Sequence, residues 1–246
     1  RFLAVRALST VNHGIGNGLY YEFVGVKKSP NKNQTDLEFF FSGFNVNLKE
    51  ARKNRQIARA GILRSAVTEK PRAIEVVQGS AHPGTSDGVI FSTYDLFDED
   101  DSVERDPFEN LIAFIDRNQF RASEVIAPRP NGMHIGVLFD GNGALQNSVP
   151  DNVAPWGNVP GQYTKRLVPF IACAQCHGTK TELGLKTFHN DVADLPAKAD
   201  LNEADADRIR SEYLAGDPLR MLIGSRNFYA DTVFRATNGM TVDQAS

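Results

Sequence analysis

The sequence predicts an α+β chain, with a β-rich N-terminal domain over residues 1–160 and a helical domain over residues 161–246. Three observations lead there. Runs dominated by β-branched and aromatic residues, bounded by Gly, Asn or Pro, recur through the first part. Pro and Gly then gather between Pro150 and Gly161, which marks a linker. Beyond it the texture changes to helix formers, and one stretch, "LNEADADRIRSEYL", opens on a capping Asn202 with acidic residues in its first turn.

Taken in order, "VNHGIGNGLYYEFVGV" places three glycines before an aromatic run and predicts a loop feeding a strand. "SPNKNQTD" reads as a polar loop, and "LEFFFSGFNV" as a second β run. Glu50 to Arg59 is rich in helix formers and mostly polar, which predicts a short exposed helix. "AIEVVQG", "GVIFSTYDLF" and "HIGVLFDGNGALQ" are the clearest strands, and Asp140 to Gly143, "DGNG", predicts a tight turn that folds the last into an antiparallel hairpin. Between them, "DPFENLIAFIDRNQF" spaces its apolar residues as a helix would, with Asp106 as cap and Pro107 at the first position. After the linker, helices are expected around Cys173 to His177, over Asn202 to Ala215 and over Phe228 to Thr237. Asp98 to Asp101, "DEDD", lacks the spaced ligands and central Gly of a calcium loop and reads as a solvated acidic turn.

Composition excludes several classes of function. Apolar residues make up 41% and charged residues 23% of the 246, ordinary values for a globular protein. A formal charge of -3 without a basic tract speaks against a nucleic-acid partner. No run approaches the roughly 18 to 20 apolar residues of a spanning helix, so no transmembrane segment is expected. The N-terminus, "RFLAVRALSTV", lacks the apolar core and cleavage site of a signal peptide and reads as a mature end or an excised piece.

Both cysteines of the chain stand in one pentapeptide, "CAQCH", at Cys173, Cys176 and His177. A zinc site needs four ligands, and His13, His82, His134 and His189 are too scattered to supply a second pair. A redox disulfide belongs at the end of a strand in a βαβ unit, and the preceding "GQYTKRLVPF" carries Pro169 two residues before Ile171. Covalent haem attachment needs two thiols three residues apart for the two vinyl groups and an adjacent imidazole for the iron, and CxxCH provides these on one helical turn. By chance the motif arises in roughly one chain in a thousand of this length. The expected cofactor is therefore one covalently attached haem c, held by Cys173 and Cys176 with His177 as proximal iron ligand, and zinc or a redox disulfide is the lesser alternative. The helical part is then a cytochrome c-like haem domain. Such attachment takes place outside the bacterial cytoplasm, so a periplasmic or extracellular location is expected, with the export signal removed.

The distal side of the iron decides the chemistry. Met240 follows a helical stretch at a separation from His177 that suits a small cytochrome c fold. Met221, in "DPLRMLIGS", has apolar neighbours that favour a core role, and His189 reaches the iron only if the intervening loop folds back. An open or externally ligated iron is the fourth alternative. Trp156 can pack on the haem edge or anchor a satellite core, while His134, alternating with apolar residues on a strand, reads as a satisfied or surface histidine. Tyr94 and Asp95, at the end of a strand, read as a buried hydroxyl and a cap.

Four pieces of the chain, "RAGILRSAVT" at Arg59 to Thr68, "FSTYD" at Phe91 to Asp95, "PNGMHIGVLFDGNGALQ" at Pro130 to Gln146 and "CAQCHG" at Cys173 to Gly178, resemble a group of exported bacterial proteins that carry a single late CxxCH. The pieces keep the order and approximate spacing of that group and span about half the chain. The resemblance implies a β-rich domain packed against a haem segment and transfers no catalytic residue. Members of the group continue on both sides, which makes a fragment or a subunit of something larger an expectation here. The activity expected is that of a monohaem c-type cytochrome performing single-electron transfer with a redox partner protein or complex subunits. Two rivals remain: a haem enzyme or gas sensor with an open distal site, peroxidase-like, and a structural subunit of an envelope or extracellular assembly stapled by its haem.

Overall fold

The computed structural model describes residues 19–54, 56–62, 72–79, 88–95, 120–129 and 134–146, together with 202–204, 206–207, 235 and 239. They form one antiparallel sheet of six strands in sequential order: β1 (Ile57–Ile62), β2 (Arg72–Gly79), β3 (Gly88–Asp95), β4 (Ala122–Pro128), β5 (His134–Asp140) and β6 (Leu145–Gln146). Three short helices precede it: α1 (Leu19–Val24), α2 (Asp36–Ser42) and α3 (Leu48–Lys53).

Register decides which side chains share a face, because successive residues of a strand point to opposite sides. The pairs Arg59↔Glu75, Glu75↔Ser92 and Ser92↔Val125 put these four in one row. The neighbouring row runs Ala73↔Tyr94, Tyr94↔Ser123 and Ser123↔Phe139. This face carries Ile57, Val77, Ile90, Val125, Val137 and Phe139 into a single core with Leu37, Phe40, Phe41, Leu48 and Ala51 of the helices. On the other face Ile74, Val76, Val89, Ile126 and Leu138 are also buried. Burial on both sides is why β2, β3 and β5 read as nearly continuous apolar runs in place of an alternation.

Three of the expected strands are present: "AIEVVQG" lies in β2, "GVIFSTYD" is β3 and "HIGVLFD" is β5. The hairpin at Asp140 is present too. Gly143 N–H donates to the Asp140 carbonyl at 2.9 Å, and Asp140 Oδ1 accepts from the N–H groups of Asn142 and Ala144, both at 2.9 Å. Gly143 takes φ 73°, the left-handed residue that lets a three-residue hairpin loop close.

Two expectations are overturned. Neither "GLYYEFV" nor "LEFFFSG" is β structure: the first holds α1 and the second α2. The run of aromatics suggested a strand, but Leu37, Phe40, Phe41 and Phe44 follow i, i+3, i+4, i+7 spacing and all four are buried. Thr35 and Glu38 complete a reciprocal capping box, with Glu38 N–H donating to Thr35 Oγ1 at 3.2 Å and Thr35 N–H to Glu38 Oε2 at 3.1 Å. After α2, Asn45 adopts φ 58° and Val46 N–H reaches back to the Phe41 carbonyl at 3.1 Å, which ends the helix. Removing the Thr35 hydroxyl leaves a helix donor without its cap, so Thr35→Ala is expected to lower stability by about 1 kcal/mol in urea denaturation, with Thr35→Ser close to wild type.

The helix expected over Glu50 to Arg59 begins earlier and stops sooner. Asn47 caps α3, its Oδ1 accepting from Glu50 N–H at 3.2 Å, and the helix ends at Lys53 because Ile57 and Arg59 are drawn into the sheet opposite Val77 and Glu75. Strand β4 does not stand out in the sequence: Ser123 and Glu124 interrupt its apolar residues, and β3 and β5 pair with it on both sides. The helix expected at 106–120 lies outside the described residues except for Phe120, which is buried and non-helical. Of the stretch from Asn202, residues 203–204 and 206–207 are helical, and Ala206 N–H donates to the Asn202 carbonyl at 3.0 Å. Arg235, inside the expected Phe228 to Thr237 helix, is helical. Among the described residues no helix is long and apolar enough to cross a membrane.

The helices are tied to the sheet by polar bonds as well as by core. Tyr21 Oη donates to the Gln146 carbonyl and accepts from Leu138 N–H at 3.0 Å, joining α1 to β5 and β6. Asp36 accepts from Leu145 N–H at 2.9 Å and from Ser29 N–H at 2.6 Å, and Leu37 N–H donates to the Gly143 carbonyl at 2.9 Å. These bonds seat the start of α2 on the hairpin turn.

Candidate functional site

The residues expected to hold the haem, Cys173, Cys176 and His177, lie outside the described residues, as do Met240, Met221 and His189. The same is true of Trp156, the acidic turn at Asp98 to Asp101, and His13 and His82. His134 opens β5 opposite Pro128. Among the described residues no group of three His, Cys, Asp or Glu side chains stands close enough to hold a metal ion.

What the described residues do assemble is a buried ionic cluster between α3 and the sheet. Glu75, central in an apolar strand, is 2% exposed. Register brings Arg59 beside it from β1, and the last turn of α3 lowers Arg52 onto it from above. Arg52 Nη2 donates to Glu75 Oε2 at 2.9 Å and Arg52 Nε to Oε1 at 3.1 Å, a forked pair, while Arg59 Nε donates to Oε1 at 3.1 Å. Arg52 Nη2 also donates to Tyr94 Oη at 3.2 Å, and its guanidinium carbon lies 5.7 Å from the Tyr94 ring centre. Tyr94, fully buried, packs edge-on against Phe120 with ring centres 4.9 Å apart.

Electrostatics follow from this packing. Burial alone would push the Glu75 carboxyl up, but the charge and hydrogen bonds of Arg52, with the charge of Arg59, outweigh it and hold the carboxyl below the ordinary range. Burial likewise opposes the charge on Arg52, and the Glu75 carboxylate reverses this so that the guanidinium is raised further. The Tyr94 phenol is pushed well above its usual value, by burial first and by the Glu75 charge second, and stays neutral. An ionised acid engaged by two guanidiniums, beside a neutral phenol, has no proton to exchange near neutrality. The cluster fixes Arg52 in one orientation.

A second pair closes the far end of the β2–β3 ladder, where Arg72 Nε donates to Asp95 Oδ1 at 2.6 Å. Tyr94 is therefore the buried hydroxyl that the sequence suggests, while Asp95 makes an ion pair where a cap was expected. The sequence does not single out Arg52, Arg59 and Glu75. Its one available signal was a lone acid inside "AIEVVQG", since a carboxylate amid β-branched residues is buried at great cost unless cations meet it.

Above the cluster, a cleft of about 490 Å³ opens between α2, α3 and the hairpin turn. Arg52 and Phe120 line it, with Leu37 and Leu48 as further apolar wall and Gly141 to Gly143 at the rim. Set against protein-family models, curated proteins and solved structures, the chain matches none.

Proposed function

We propose that this chain is a monohaem c-type cytochrome that performs single-electron transfer with a partner protein outside the cytoplasm. One observation carries the reading: the two thiols of a 246-residue chain are placed three apart with an imidazole directly after the second, at Cys173, Cys176 and His177. The donor set suits the group. Two soft thiols form thioether links to the vinyl positions, and a neutral imidazole is an axial ligand for haem iron. Bound in this way, the iron supplies a one-electron ferric–ferrous couple.

The chain's own residues have separate parts in this reading. Cys173 and Cys176 would hold the group covalently, His177 would bind its iron, and Met240, Met221 or His189 would be the candidates for a second iron ligand. The six-stranded sheet with its helices is more protein than a simple carrier needs, and its role is to dock a redox partner or fix the haem segment in an assembly.

The test is the mass and visible spectrum of the protein purified from a host competent for cytochrome c maturation. The expected result is the mass of the chain plus one haem, retained after denaturation, with the absorption of a six-coordinate haem that does not take up carbon monoxide at once on reduction. A colourless protein with the mass of the bare chain would overturn the reading.

A further inference from the structure

We draw no further inference here: the strongest candidate, the face of the sheet turned away from the helices and formed by Ile74, Val76, Val89, Ile126 and Leu138, is apolar and buried, and nothing among the described residues shows what covers it.

Discussion

Replacing Cys173 and Cys176 together by alanine is expected to yield a colourless chain, with the 27.1 kDa mass of the polypeptide and no covalently bound haem. In the proposed reading each thiol would make its own thioether link, so either single replacement should leave one link and a less secure haem. Replacing His177 by alanine leaves both links but removes the proximal imidazole, and the reduced spectrum should shift to that of a haem open to carbon monoxide. Denaturing mass spectrometry and absorption spectra of the four proteins check this series. If the double variant still carries its colour after denaturation, the thiols are not the attachment points and the proposed function fails. The replacements also distinguish the distal candidates: with His177 intact, Met240→Ala, Met221→Ala or His189→Ala should open the iron in one case only.

The second large effect concerns Glu75. Replacing it by alanine removes the carboxylate that engages both Arg52 and Arg59 in a site where it is 2% exposed. Deleting one partner of a buried ionic cluster leaves uncompensated charge in a poor solvent and costs about 3–5 kcal/mol. That is a large fraction of the roughly 5–15 kcal/mol that holds a typical domain together. Urea denaturation at neutral pH should show the loss as a lower midpoint. The pH dependence has a definite sign. Because the folded-state pKa of Glu75 is depressed, its contribution is present above the unfolded value of about 4.3 and is lost as pH falls through the folded value. Wild type should therefore lose stability with acid below about pH 4, and Glu75→Gln, which cannot titrate, should show a flatter curve there. A Glu75→Gln curve parallel to that of wild type would show that the acid sensitivity comes from other carboxylates.

Parts of the fold were open to reading along the chain and parts were not, and the division follows the range of the interactions. The Asp140 to Gly143 turn is legible because its bonds close within five residues and Gly143 is there to take positive φ. Strands β2, β3 and β5 are legible because continuous β-branched runs have few other stable outcomes. Helix α2 is masked in the sequence because three adjacent phenylalanines outweigh the better signal, a Thr-x-x-Glu cap followed by apolar residues at helical spacing. Strands β1 and β4 escaped notice for another reason. Arg59, Ser123 and Glu124 spoil their local pattern, and the charge on Arg59 is met by Glu75 across the ladder.

The same division applies to function. The proposed function rests on two thiols and an imidazole within five positions, a pattern found along the chain without reference to the fold. Residue order likewise set the turn, the α2 cap and the apolar runs, each a matter of contacts a few residues long. The ionic cluster and the cleft above it are of another kind. Arg52 and Glu75 are 23 residues apart, and Tyr94 a further 19, so no window along the chain contains them. They meet because antiparallel register aligns Glu75 with Arg59 and with the row beside Tyr94, and because α3 packs its last turn on that face. Desolvation on meeting is what turns three ordinary charges into a rigid floor for the cleft.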